Sequence, residues 1–331
     1  MGLSRGERAL GFTSDVMVFD AHPFGYEHDI EIGLAGVSDR RGWARRFAAV
    51  ARAALRYDVI HYEYGYTIAQ RLHRDRLQTE LPLMKRLGKT IISQWHGDDA
   101  RPPSANPWGF QEPEYLAYME AVQGPRRELM LRGSERTFFV NPDLRQWLPG
   151  GSFRPYASVD VQAIEPVPSP AGEGDEVTVI HAPSHRGIKG TEFVEKAVSD
   201  LRGEGLKVKL DLIEGLSHAD AMRRFAAADL AVDQLHIGWY GGFALEVMAL
   251  GKPVICHIEE SEPEDNPFGD ALPIVRATPD TVKEAIRGLA TDRERRLALG
   301  RASREFAVAH HDPAVVAREV LDGLVPIPAD L

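Results

Sequence analysis

The strongest constraint on this chain is its punctuation: apolar runs of strand length alternate with helix-length amphipathic stretches, and the alternation happens twice. In the first half, Asp15–Phe19, Asp58–Tyr62, Lys89–Gln94 and Arg136–Val140 read as strands. Trp43–Leu55 has helical spacing, and a helix-like segment ends at Gly88. Short apolar runs separated by helices predict a parallel, doubly wound sheet, because such strands are covered on both faces. Ala100–Pro113 holds four prolines and reads as an irregular loop. The segment Pro149–Asp175, rich in Pro, Gly and Ser, then interrupts the pattern as a linker. Strands at Val177–His181, Val208–Ile213, Leu230–Gln234 and Pro253–His257 follow, with helices at Thr191–Leu201, Asp220–Ala227 and Phe243–Leu250. Ser217-x-x-Asp220 starts the second of these helices as a capping box would. Three more helices are read at Thr281–Leu289, Asp292–Ala307 and Pro313–Leu324. The expectation is an α/β fold of two domains: residues 1–160, a linker at 161–175, a second domain at 176–312, and a closing helix and tail at 313–331. In such folds ligands bind at the C-terminal edges of the sheets, in the cleft that two domains leave between them.

Composition narrows the function. With 331 residues, each half is long enough for its own core. The formal net charge of −10 argues against non-specific nucleic-acid binding, which needs phosphate-neutralising cations. No apolar run reaches the roughly 18 residues of a membrane span, and no apolar signal segment opens the chain, so a cytoplasmic protein is expected. Cys256 is the single cysteine and sits in an apolar run, which suits a buried small hydrophobe rather than a nucleophile. Gly-x-Ser-x-Gly, Cys-x-x-Cys, Walker A and Gly-x-Gly-x-x-Gly patterns are all missing.

Two motifs in the second half carry chemistry. In His181-Ala-Pro-Ser-His-Arg-Gly-Ile-Lys-Gly190 a strand leads through a loop bearing Ser184, Arg186 and Lys189 to a helix at about Thr191. Backbone N–H groups and two cations aimed at one spot suit a diphosphate. A solvated basic loop is the plain alternative. In Asp233-Gln-Leu-His-Ile-Gly-Trp-Tyr-Gly-Gly-Phe-Ala-Leu-Glu246, Gly241 and Gly242 allow close approach to a ligand. Glu246 falls in the first turn of the next helix, where a carboxylate can accept two vicinal hydroxyls of a ribose. The alternative is a tight turn followed by a dipole-favoured acid. The two motifs stand two strands apart in one sheet, and together they favour a bound nucleotide. Because the first loop is expected to be exposed, Lys189→Ala is expected to cost activity far more than stability.

These segments, HAPSHRGIKGTEFVEKAV and GWYGGFALEVMALGKPVI, resemble the donor-binding half of GT-B glycosyltransferases, nearest to glycosyltransferase family 4. DVIHYEYG and TIISQWHGDDAR resemble segments of the first domain of the same relatives. The resemblance implies two Rossmann-like domains whose parallel sheets face a central cleft. It implies a retaining, metal-independent transfer of sugar from a nucleotide-diphosphate sugar to a hydroxyl acceptor, with no separate cofactor. Lys189 and Arg186 would then stabilise the leaving diphosphate, which is able to take the acceptor's proton on the same face. Glu246 would hold the ribose, and backbone N–H groups at Gly241, Gly242 and Phe243 would contact the phosphates. The chain departs from the pattern twice. Relatives carry Glu-x7-Glu, but eight residues before Glu246 stands Gly238. Relatives open with a strand and a Gly-rich loop, whereas Met1–Leu10 here already reads as a helix, as in a late start or a naturally reduced variant.

In the first half, His96 follows a strand within His96-Gly-Asp-Asp-Ala-Arg101, and in relatives a His at this place lies near the transferred sugar. Asp98 and Asp99 either join it or merely cap the turn. His61 ends another strand and lines the cleft or is simply satisfied there. Trp239 and Tyr240 either wall the sugar pocket or are buried. No metal cluster accompanies His96. His310-His311-Asp312-Pro313 reads as the entry to the last helix. Two rival readings stand beside transfer: a sugar-nucleotide epimerase or hydrolase, and a non-catalytic GT-B relative that binds a nucleotide sugar or a partner. The donor base and sugar, the acceptor and any peripheral membrane contact stay open.

Overall fold

A computed structural model describes residues 2–22, 25–69, 80–105, 113–260 and 266–327. The chain forms two compact units, one of residues 11–154 and 320–331 with Met1, the other of residues 2–10 and 155–319.

The first unit carries a helix α2 (Asp39–Arg56), strands β3 (Val59–Glu63), β4 (Thr90–Trp95), β5 (Arg136–Phe139) and β6 (Ser152–Phe153), and helices α3 (Glu80–Arg86) and α4 (Pro113–Gly133). Its parallel sheet runs β3-β4-β5-β6. Val50 and Ala53 of α2, Leu81 and Met84 of α3 and Met130 of α4 close over Ile60, Ile91 and Phe139. The expected strand at Asp15–Phe19 is only β1 (Met17–Val18). It pairs in parallel with β2 (Ile30–Glu31) as a separate two-stranded sheet and is half-buried. Residues 149–154 of the expected linker belong to this unit rather than to a tether, and Ser152–Phe153 pairs with β5 as the sheet's last strand.

Helix α1 (Gly2–Ala9) was expected in the first unit and belongs to the second. The cause is close backbone approach. A Cβ at Gly2 would lie 1.4 Å from the Ala157 carbonyl oxygen, and one at Gly6 would lie 1.8 Å from that of Pro313. Glycines one turn apart leave a bare helix face that rests directly on those two backbones.

The second unit continues with β7 (Val177–His181), α5 (Arg186–Lys189), α6 (Thr191–Gly203), β8 (Val208–Leu212), α7 (His218–Ala227), β9 (Leu230–Val232), α8 (Gly242–Ala249), β10 (Val254–Cys256) and β11 (Ile274–Arg276). Helices α9 (Val282–Thr291), α10 (Arg293–His311) and α11 (Pro313–Leu321) follow. The wholly parallel sheet runs β11-β10-β9-β7-β8. Val179, Val232 and Ile255 pack against Val194, Val198 and Leu201 of α6 and Ile286 and Leu289 of α9. Ser217 caps α7 by accepting the Asp220 N–H, as its spacing predicts. The His310-His311 pair closes α10 rather than opening the last helix. This order places β8 on one side of β7 and sends the chain back to β9 on the other. Strand order therefore reverses between β7 and β9, the place where doubly wound sheets open a crevice for ligands at the strands' C-terminal ends. The motif loops leave β7 and β9, so their strands are neighbours rather than two apart.

Candidate functional site

At the crevice between β7 and β9, Lys189 ends the single turn of α5. Gly190, at φ 73°, then reverses the chain into α6, and a Cβ there would lie 3.0 Å from Leu235 Cβ. This close packing carries Lys189 across to the β9 loop. Its Nζ donates to Asp233 Oδ1 at 3.0 Å and to Gln234 Oε1 at 2.5 Å. The other oxygen of Asp233 accepts the Gly241 N–H at 2.9 Å. Asp233 is only 1% exposed and the Lys189 side chain 14%, so this is a desolvated pair and not a surface contact. One carboxylate thus fixes both the cation and the first amide of the glycine turn. A Cβ at Gly241 would stand in ordinary contact with the pair, 3.6 Å from Lys189 Nζ and 3.7 Å from Asp233 Oδ2.

The loop's other polar groups are arranged differently. Ser184 is exposed, and the cap of α5 is His185, whose Nδ1 accepts the Ile188 N–H. Arg186 is half-exposed and divided between Glu195 at 2.5 Å and Glu214 at 2.8 Å. Its two carboxylates raise its already high pKa. Lys189 is the cation that faces the crevice loop of β9.

Helix α8 starts at Gly242 behind the N-cap Gly241, with no side chain capping it. Its first amides are therefore available to an anion. Phe243 turns its ring against Phe225 of α7 at 5.0 Å, so only its backbone belongs to the turn. Because the helix opens one residue earlier than expected, Glu246 lies one full turn in rather than in the first turn. Its side chain is 19% exposed, and Oε1 meets Nε2 of the exposed His218 at 2.6 Å. Burial raises the Glu246 pKa, against the hydrogen bond and charge of His218. Gly238 has no space for the carboxylate that the family resemblance leads one to expect there: a Cβ would lie 2.5 Å from Glu259 Cβ.

Trp239 and Tyr240 are buried at 1% and 0% exposure, so of the two alternatives they take the core. Trp239 stacks on Phe268, and the Tyr240 hydroxyl bonds His311 Nε2 at 2.9 Å. Cys256 is buried, and burial pushes its thiol well up, as a structural cysteine requires.

In the first unit, β3 and β4 end in register, Glu63 opposite Gln94, so the residues beyond them emerge side by side. His96 Nε2 meets Glu63 Oε2 at 2.5 Å, and its ring stacks on Tyr64 at 4.2 Å. Tyr64 has a φ of 60°, the one positive value outside glycine among the described residues. A non-glycine residue held there costs about 1–3 kcal/mol, and such residues gather at functional sites. Burial works to raise the Glu63 pKa, but the hydrogen bond and charge of His96, with Arg154 and His61, outweigh it and hold it at about 2. Asp99 accepts the N–H groups of His96, Gly97 and Ala100, which makes it the loop's organiser. Asp98 instead pairs with Arg101, whose guanidinium also grips Asp143 at 2.6 Å. His61 is half-buried in mid-strand, paired in register with Ile92.

Asp233, Gln234, Glu63, Tyr64 and His218 complete these two arrangements, and sequence reading gave none of them a role. The one available signal was an acid at the end of a strand adjoining a basic loop.

No family model and no curated protein matches the chain. Solved structures do. Sucrose-phosphate synthase from Thermosynechococcus elongatus superposes with a TM-score of 0.64 at 16% identity, covering 96% of this chain and 90% of that one. Anabaena HepE in complex with UDP-glucose gives 0.52 at 13% identity, covering 85% and 81%. A Listeria monocytogenes protein assigned as a UDP-N-acetylglucosamine 2-epimerase gives 0.51 at 14% identity, covering 100% and 96%. The fold is the α/β, parallel-sheet GT-B fold that these structures share.

Proposed function

We propose that this chain is a glycosyltransferase that takes its sugar from a nucleotide-diphosphate donor held by the second unit. One observation carries the reading: at the β7/β9 crevice, the buried Asp233 holds both the Lys189 ammonium and the Gly241 N–H, beside the uncapped start of α8. A cation and unspent amides at a switch point suit a diphosphate, and Glu246 one turn along α8 suits ribose hydroxyls. The UDP-glucose bound by HepE makes UDP-sugars the first donors to try.

The chemistry proposed is retaining and free of metal. As the bond to the anomeric carbon breaks, negative charge grows on the departing diphosphate, and Lys189 with the α8 amides stabilises it. The acceptor hydroxyl attacks from the same face and passes its proton to the leaving diphosphate. Both cations are paired in the free protein, Lys189 with Asp233 and Arg186 with Glu195 and Glu214; the first share of this work is assigned to Lys189 because it lies beside Gly241 at the start of α8. His96, held by Glu63 and Tyr64, is assigned to hydroxyl recognition in the first unit, where the acceptor is placed. We assign the chain to glycosyltransferase family 4 on its two motifs, and to the cytoplasm. Among the described residues no helix is long and apolar enough to cross a membrane.

The test is product analysis with each donor, with and without an acceptor panel. Transfer dependent on acceptor and unaffected by a chelator supports the proposal. The epimerase-like likeness makes donor-alone turnover the specific alternative; an altered or hydrolysed donor without acceptor would establish it. Binding with no turnover under any condition would leave only a nucleotide-sugar-binding role.

A further inference from the structure

The short segment that leaves β8 touches two of the groups assigned to the donor. It runs from Glu214 through Gly215, Leu216 and Ser217 to His218, the first residue of α7. At one end, Arg186 of α5 donates to Glu214 Oε2 at 2.8 Å. At the other, His218 Nε2–H donates to Glu246 Oε1 of α8 at 2.6 Å. Helices α5 and α8 follow different strands, β7 and β9, and this one segment ties a side chain of each. The segment itself is lightly held. Residues 214–219 are all exposed, and the core resumes only at Ile213. Gly215, at φ 68°, turns the chain just after Glu214, and Ser217 caps α7 just before His218. The Glu214 side chain is 42% exposed and that of His218 68%, and pairs with such exposed partners exchange readily for better ones. Each tie also has the chemistry of one part of a nucleotide. A carboxylate on a guanidinium stands in for phosphate oxygens, and an N–H on a carboxylate stands in for a ribose hydroxyl.

We propose that Glu214 and His218 form a latch that occupies the donor site of the free protein and is displaced by a nucleoside diphosphate, whose phosphate takes Arg186 and whose ribose takes Glu246. The inference rests on the nucleotide-donor reading and adds a regulation of that site. Only the unlatched fraction is competent, so the apparent affinity is the intrinsic one reduced by that fraction, and the latch sets the donor concentration at which the site fills. Glu195 of α6 keeps its bond to Arg186 when Glu214 lets go, which holds the guanidinium at the loop instead of releasing it to solvent.

Isothermal titration of the full chain with the diphosphates of uridine, guanosine, adenosine, cytidine and thymidine tests it, on the wild type, Glu214→Ala, His218→Ala and the double variant. For the diphosphate that binds, each single variant should bind about two- to fivefold tighter than the wild type, and the double variant roughly tenfold tighter. Both side chains are exposed, so the variants should keep the wild-type circular dichroism. The gain from His218→Ala should vanish in a Glu246→Ala background, and that from Glu214→Ala in an Arg186→Ala background, because the latch then has nothing to hold. Unchanged or weaker binding in the His218 and Glu214 variants would overturn the latch, and so would gains that persist in those backgrounds. The donor reading survives either result as long as Glu246→Ala alone weakens binding. If neither the wild type nor any variant binds a nucleoside diphosphate, the donor reading falls and the latch falls with it.

Discussion

The side chain that governs this molecule at the residue scale is Asp233. It is nearly inaccessible, and it holds Lys189 and the Gly241 amide together. Lys189→Ala was expected to spare stability on the premise of an exposed loop; the desolvated pair reverses that expectation. Removing the ammonium strands a buried carboxylate, and breaking a buried pair costs about 3–5 kcal/mol. Chemical denaturation should therefore show Lys189→Ala clearly destabilised, with Asp233→Asn added to it recovering part of the loss. If the single and double variants unfold alike, the pair is not the coupled unit described. His311 sets a second, pH-dependent term. It is buried, its Nδ1–H donates to the Tyr156 carbonyl, and its Nε2 accepts from Tyr240. Burial lowers its pKa to about 4, against about 6.5 for an unfolded histidine. Between those values the unfolded chain binds more protons, so stability is full above about pH 6.5 and falls as pH drops toward 4, by about 3 kcal/mol in all. Denaturation midpoints across that window should fall in the wild type and fall less in His311→Gln. An unchanged slope would assign the acid sensitivity elsewhere.

At the scale of elements, legibility followed local pattern. The strand Val177–His181 is readable to the residue because every inward position is apolar and a polar loop follows. β11 went unread because its three residues end in the exposed Arg276, and β6 because two residues between Gly151 and Pro155 show no period. Lys189 and Glu246 are legible as candidates because each lies within a single motif of the sequence. Their partners Asp233 and His218, like Glu63 beside His96, are chosen by tertiary register that spacing does not reveal. Trp239 and Tyr240 had the composition of a pocket wall and became core because Phe268 and His311 fold over them. The placement of α1 was legible only in hindsight, from two glycines one turn apart. Gly6→Ala should destabilise by about 1–3 kcal/mol through enforced displacement of the helix, whereas Gly42→Ala on α2, whose Cβ would meet only ordinary contacts with Val37 at 3.8 Å and Leu34 at 4.0 Å, should stabilise by about 0.5–1 kcal/mol. Thermal midpoints that move in the same direction for both would contradict the backbone contact.

For the whole molecule, two parallel α/β units of the GT-B fold accommodate more than one chemistry, and fold alone does not choose among them. What chooses is the crevice at β7/β9, where we propose that a nucleotide-diphosphate sugar binds. Isothermal titration of the full chain with uridine, guanosine, adenosine, cytidine and thymidine diphosphate sugars, repeated on Glu246→Ala, tests it most directly. Saturable binding of at least one donor without added metal is expected, weakened at least about tenfold in Glu246→Ala. Absence of binding across the panel, or binding indifferent to Glu246, would contradict it.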